Sequence, residues 1–167
     1  MTRTSNIADA REAGQVSFFV EELEAELHVQ DAVRESGNER QAIYRLSTDR
    51  LVPLLKKWVE RGGRLATVTG IDVRDGTELL YHVCFDAVKF TATLKILVPR
   101  TTDTMESITP WLPGAEFIER EIHDLLGVNF EGHPRMKRLI LSDDWPEGVY
   151  PLRRNFSKDD IERGKRS

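Results

Sequence analysis

The residues whose types and spacing come nearest to chemistry are Glu119, Arg120, Glu121, His123 and Asp124, with His133 a little further on. Acid–base or hydrolytic work requires a nucleophile, a base and an orienting group held together. The local spacing argues against that. Ile118, Ile122 and Leu125 recur at i, i+4 and i+7, which is the apolar stripe of a helix. Pro113-Gly114 precede this helix, and Gly127 follows it as a natural left-handed cap. Neighbours on a helix point about 100° apart, so His123 and Asp124 diverge. Glu119 is then the natural partner of His123 at i,i+4, and the pairs Glu116–Arg120 and Arg120–Asp124 share that spacing. Glu119 and Glu121 flank the stripe while Arg120 points away from it. By residue type alone the triplet is a solvated face; the other reading is ion pairing with a strand or a partner. His133 sits between Gly132 and Pro134, and the proline holds it in an extended or turn conformation. Such a histidine is suited either to cap a backbone carbonyl or to touch a partner.

Other chemical candidates are weaker. His82 and Cys84 alternate on one face of an expected strand, a spacing a metal could use, but no further ligands cluster with them. Asp143-Asp144 before Trp145-Pro146 reads as a turn or cap. Gly62-Gly63 follows a helix, the wrong context for a phosphate-binding loop. No catalytic, cofactor or metal residue is legible in the chain.

One set of residues does form a specific pattern. Glu119-Arg120-Glu121, Asp124-Leu125, Gly127, Phe130, Gly132-His133-Pro134 and Arg138-Leu139 resemble the signature of the respiratory complex I 30 kDa subunit family. That family includes the C subunit of NADH-quinone oxidoreductase (NADH dehydrogenase) and the related subunit of energy-converting membrane-bound [NiFe] hydrogenases. The later run Asp143-Asp144-Trp145-Pro146, ending Tyr150-Pro151-Leu152-Arg153-Arg154-Asn155-Phe156, resembles the hydrogenase and archaeal branch more than the NADH branch. His123 departs from the pattern, where many relatives carry an aromatic. The resemblance groups the triplet with Asp124 and the Gly-His-Pro corner, which favours structural pairing at a subunit junction over a solvated face.

Composition fits. The chain has 167 residues, 40% hydrophobic and 31% charged, ordinary for a globular domain able to bury a core without disulfides. A net charge of −4 argues against general nucleic-acid binding. Cys84 is alone, so no disulfide framework is expected. No apolar run approaches the roughly 20 residues of a transmembrane helix, so membrane association is expected only through partners.

The elements that must position these residues follow from periodicity. Residues 1–14 read as a flexible N-terminus and 16–27 as an amphipathic helix capped by Ser17. Residues 28–34 and 41–47 read as a hairpin, and 48–61 as a helix buried through Leu51, Leu54, Leu55, Trp58 and Val59. Residues 64–73, 79–86 and 90–98 read as strands, with Asp75-Gly76 a turn; 103–108 read as a short helix. The order α-β-β-α-β-β-β-α predicts an α+β domain over 15–141, two layers with helices on a mixed, mostly antiparallel sheet. Residues 142–167 read as an extended tail for docking on a partner through Trp145, Tyr150, Leu152, Arg153, Arg154 and Phe156, with a charged, exposed end.

The resemblance implies a non-catalytic, cofactor-free subunit of the peripheral arm of a membrane-bound redox complex, on the cytoplasmic side of a prokaryotic membrane. It implies partners of two kinds: a hydrogenase-like large subunit of the 49 kDa (D) type, and a small iron–sulfur subunit of the B type. Iron–sulfur clusters, with flavin and quinone or a nickel–iron site, belong to those partners. A stand-alone hydrolase using His123, Asp124 or His133 is the alternative of a different class, and a soluble adaptor with a C-terminal docking motif is a third. The electron donor and acceptor are not written in this chain.

Overall fold

The computed structural model describes residues 3–29 and 31–164. In chain order the elements are α1 (Arg3–Val29), β1 (Val33–Gly37), β2 (Gln41–Arg45), α2 (Thr48–Glu60), β3 (Arg64–Val73), β4 (Gly76–Phe85) and β5 (Phe90–Pro99). They continue with β6 (Thr104–Glu106), α3 (Glu116–Leu126), β7 (Asn129–Glu131) and α4 (Lys158–Gly164), short 3-10 turns preceding β5 and α3. Five strands form one sheet in the order β1-β2-β5-β4-β3. β1 and β2 are antiparallel, whereas β2 and β5 run parallel, with Tyr44 opposite Leu94. The connections β3–β4 and β4–β5 are too short for a crossover, so those neighbours are hairpins. The sheet is therefore mixed and mostly antiparallel, and the fold is α+β as the periodicity predicts.

The described residues fall into two compact units. The first lies within Met1–Ala66 and Tyr81–Ile96. Its core joins Leu23 and Leu27 of α1, Leu51, Leu54, Leu55 and Trp58 of α2, and Tyr81, Val83, Phe90, Leu94 and Ile96 of the sheet. Phe85 meets Phe19 edge-on at 4.8 Å and Trp58 at 5.7 Å. Each such buried side chain contributes about 1.5–3 kcal/mol. β4 alternates as expected: Thr77, Leu79, Tyr81, Val83 and Phe85 are buried, while His82 and Cys84 lie on the half-exposed face. There the His82 Nδ1 is 3.0 Å from the Thr93 hydroxyl and the Cys84 Sγ is 3.6 Å from that of Thr91. Burial lowers the pKa of His82, which keeps the imidazole neutral.

The second unit lies within Thr67–Leu80 and Leu97–Ser167. Val68, Leu79, Val98, Met105, Ile108, Ala115, Ile122, Leu126, Val128 and Phe130 are its buried apolar residues. α3 lies against β3 at Gly70, where an added Cβ would come 2.5 Å from Leu126 Cδ1.

Several expectations need correction. α1 begins at Arg3, where the periodicity predicts no helix before residue 16, Met1 and Thr2 lying outside the described residues. Ala8, Arg11, Glu12 and Ala13 are good helix formers, which the reading of polarity alone overlooked. Ser17 is inside the helix and bonds Glu21 at 3.4 Å instead of capping. The first strand starts at Val33, not at residue 28, because α1 runs to Val29. Residues 103–108 are not helical: Asp103 takes a left-handed φ of 45°, and β6 pairs in parallel with β7, Met105 opposite Phe130. Both of those side chains are buried, which outweighs a weak helical propensity. The exposed end at 158–164 is the helix α4, opened by a capping box. Ser157 Oγ accepts from the Asp159 N–H at 3.1 Å, and Asp160 accepts from the Ser157 N–H at 2.8 Å.

Candidate functional site

The signature and tail residues singled out in the sequence lie in the second unit, whereas His82 and Cys84 lie in the first. Glu119 is 1% exposed, not solvated. One oxygen accepts the Ile108 N–H at 2.8 Å; the other accepts the hydroxyls of Ser107 at 2.5 Å and Thr109 at 2.8 Å. The expected Glu119–His123 pair does not form. A buried carboxylate is tolerable only when both oxygens are hydrogen-bonded, and here three donors engage them. Ser107 and Thr109 were missed in the sequence, although a Ser-x-Thr run facing a half-apolar helix is the kind of donor set such a glutamate needs.

Arg120 and Asp124 do not pair with each other either. The Arg120 guanidinium donates to the carbonyls of Lys137 at 2.8 Å and Arg138 at 2.7 Å. One Asp124 oxygen accepts the N–H groups of Leu139 at 2.7 Å, Ile140 at 2.9 Å and Leu141 at 3.4 Å. Burial acts to raise the Asp124 pKa, but those three backbone donors together hold it below the usual carboxylate range. Glu121 is exposed. Glu116 pairs with Arg135 at 2.8 Å instead of Arg120, and that guanidinium lowers its pKa.

The two histidines are also bound to the backbone. His123 Nδ1–H donates to the Val128 carbonyl at 3.0 Å, closing the end of α3. His133 Nε2–H donates to the Glu116 carbonyl at 3.3 Å, and its Nδ1 accepts the Arg135 N–H at 3.1 Å. Its side chain is fully buried and lies 4.0 Å from Glu119 Oε2. His133 is thus a carbonyl cap, one of the two roles expected for it. Gly132 supplies the preceding corner with a φ of 81°, Pro134 is exposed, and Phe130 is buried on β7.

Residues 142–156 lie against their own unit. Leu125 and Leu126, in the last turn of α3, offer carbonyls with no partner inside the helix. The Leu152 N–H binds the Leu125 carbonyl at 3.0 Å, and Arg153 Nε binds that of Leu126 at 2.8 Å. Arg153 also meets Asp103 at 2.8 Å and stacks 4.5 Å over the Tyr150 ring. Gly127, with a φ of 76°, has no room for a side chain: a Cβ would lie 2.4 Å from Tyr150 and 2.7 Å from Arg153. Arg100 binds Asp72 and the carbonyl of Gly76, and the Arg154 N–H reaches the same aspartate at 2.9 Å. Trp145 Nε1 donates to the Val149 carbonyl at 2.7 Å and its ring lies 6.3 Å from Phe156. Arg138 bonds the Ser142 carbonyl at 3.0 Å, and Leu152 is 57% exposed. Among the described residues no three His, Cys, Asp or Glu side chains are grouped to hold a metal.

This helix, corner and return segment are what the family signature consists of in space. Residues 44–162 match the family described as the 30 kDa subunit of respiratory-chain NADH dehydrogenase. The chain belongs to that family. Its relatives include the C subunit of F(420)H(2) dehydrogenase from Methanosarcina mazei, 35% identical over 55% of this chain and 59% of the relative. The C subunit of NADH-quinone oxidoreductase from Chloroherpeton thalassium is 35% identical over 60% of this chain and 42% of its own length. Formate hydrogenlyase subunit 5 of Escherichia coli is 34% identical over 59% of this chain but only 18% of its own length. The chain therefore spans between about a fifth and three-fifths of these relatives. Among solved structures, the membrane-bound sulfane sulfur reductase, an archaeal respiratory membrane complex, superposes over 90% of this chain with a TM-score of 0.76 and 25% identity. The trypsin-resistant fragment of Nqo5 covers 70% of the chain with a TM-score of 0.62 at 22% identity, a likeness of fold. No helix among the described residues is long and apolar enough to cross a membrane.

Proposed function

We infer that this 30 kDa family chain is a structural subunit of a membrane-bound multisubunit redox complex, of the NADH:quinone oxidoreductase or energy-converting hydrogenase kind. In this reading it sits at the membrane peripherally, on the cytoplasmic side, through its partners. It packs beside a hydrogenase-like large subunit with a small iron–sulfur subunit near, and it holds no cofactor of its own. The iron–sulfur clusters, and the flavin and quinone or nickel–iron site, lie in the partners. Its contribution is positional.

One observation carries this reading. Four of the five groups around α3 that could do acid–base chemistry are bonded into their own unit, Glu119 to Ser107, Ile108 and Thr109, Asp124 to residues 139–141, His123 to Val128, and His133 to Glu116 and Arg135, while the fifth, Glu121, faces solvent. Protonating either carboxylate, or deprotonating either histidine at the nitrogen that donates, would weaken a bond that holds the segment, so such a group positions and does not react. The named relatives, drawn from dehydrogenases and a hydrogenlyase, support the choice of complex.

Affinity isolation of the tagged chain from its native membranes in mild detergent, with mass spectrometry and metal analysis, tests the reading. Co-isolation of a large hydrogenase-like subunit with iron and membrane subunits is the expected result; nickel selects a hydrogenase and flavin a dehydrogenase. A chain recovered alone, without redox partners, overturns it.

A further inference from the structure

The segment gripped by Arg120 and Asp124 runs beside α3 and presents an unusual surface. Ile140 is 55% exposed between amides bound to Asp124, and Phe117, on the same helix, is 61% exposed with the Arg120 guanidinium 5.7 Å from its ring centre. Leu152, also exposed, is fixed at the far end of the helix by its N–H on Leu125. Phe117 and Leu125 are eight residues apart, about 12 Å along the axis. Exposed large apolar groups therefore stand beside α3 where Arg120 and Asp124 hold the 137–141 segment, at Phe117 and Ile140, and at its C-terminal end, at Leu152. Single exposed apolar residues mean little, but a bordered group of them marks a contact surface.

Charge distinguishes this surface further. Four other arginines of the unit meet carboxylates, Arg100 with Asp72, Arg135 with Glu116, Arg153 with Asp103 and Arg163 with Asp160. Lys137 and Arg138 have no carboxylate within ion-pair distance among the described residues, and neither has the exposed Arg154. In a chain of net charge −4, these unneutralised cations stand near exposed apolar residues in the chain, Lys137 and Arg138 just before Ile140 and Arg154 just after Leu152. The backbone of Lys137 and Arg138 is fixed by Arg120, so they are presented at a defined place instead of on a loose loop. Glu121 stands on the same helix and is exposed, so complementary charge has to be localised opposite residues 137–138.

We propose that this surface docks an acidic segment of a partner subunit, whose carboxylates meet Lys137 and Arg138 while an apolar side chain rests on Phe117 and Ile140. The proposal rests on the complex-subunit reading above and names the chemistry of the partner at that junction. Paired charges at the edge of an apolar contact set register and partner choice.

The test is zero-length carbodiimide coupling on the complex isolated with the full-length chain, read by peptide mass spectrometry. The expected product joins Lys137 Nζ by an amide to an Asp or Glu of another kind of chain, and Lys137→Gln abolishes it. Lys137→Glu and Ile140→Asp are each expected to lower co-isolation at least tenfold, with circular dichroism of the purified chain unchanged; Glu39→Lys, in the other unit, is expected to leave co-isolation unaltered. If the wild-type chain isolates with its redox partners but Lys137 never couples, couples only to a second copy, or tolerates reversal, the docking proposal falls and the functional reading stands. If the wild-type chain isolates alone, both fall.

Discussion

Arg120 and Asp124, one turn apart on α3, hold opposite poles of the same five-residue stretch of backbone. The guanidinium takes the carbonyls of residues 137 and 138, and the carboxylate takes the amides of 139–141. A helix-surface pair of these two residues would contribute only about 0.2–0.5 kcal/mol. Divided as they are, they fix a segment that forms no regular secondary structure of its own.

Replacing Asp124 with Asn leaves a neutral acceptor facing three amides. Charge-assisted bonds of this kind contribute about 1.5–3 kcal/mol, and urea denaturation of Asp124→Asn should show a loss in that range. Arg120→Met should cost about 1–2 kcal/mol, and the double variant less than the sum, because either change alone frees the shared segment. Additive losses would mean that the two ends are held independently.

Glu119→Ala should be more damaging than either. It strands two hydroxyls and one amide in a buried place, each costing about 1–3 kcal/mol. Glu119→Gln keeps an acceptor but turns an NH2 toward donors, so its loss should be intermediate. A thermal melt ranks the three proteins; equal melting temperatures would show that Glu119 is not holding the 107–109 segment.

Gly127→Ala meets two obstacles, a left-handed φ and the Tyr150 and Arg153 side chains. The conformational part alone costs about 1–2 kcal/mol. The local consequence should be release of residues 150–153 from the end of α3, seen as faster amide exchange at Leu152. An unchanged exchange rate there would contradict the described capping.

Acid should weaken the unit through the same carboxylate. The folded pKa of Asp124 is depressed, so its stabilisation is complete above the unfolded value near ~4 and is lost as pH falls through the folded value. Glu116, depressed by Arg135, acts in the same direction. Urea midpoints measured from about pH 6 down to about pH 2, spanning the carboxylate range, should fall more steeply for wild type than for Asp124→Asn. Parallel curves would assign the acid sensitivity elsewhere.

Much of the fold was legible because its signals were local. β3 matched to the residue, α2 ended at its Gly62-Gly63 signal, and Gly127 marked the end of α3. What failed was long-range. Nothing near Thr104 announces that Met105 lies opposite Phe130, a pairing that turns an expected helix into β6. The same holds for the site. Spacing gave the correct helix for Glu119, Arg120 and Asp124 but suggested pairs within it, whereas each found its partner at least ten residues away. His133 was readable as a carbonyl cap because Pro134 restricts it locally, while its acceptor on Glu116 was not. The aromatic content of residues 142–156 calls for a surface to lie on; the end of α3 supplies one through Tyr150, Leu152 and Arg153, a contact that no local signal specifies.

The central claim is that the signature positions and does not react. Redox turnover per assembled complex, measured in membranes carrying Glu119→Gln or His133→Ala, tests it most directly. The account predicts fewer assembled complexes, each turning over at the wild-type rate. Normal assembly with turnover per complex reduced about a hundredfold, the scale of losing one acid–base group, would contradict it and make these residues part of the chemistry.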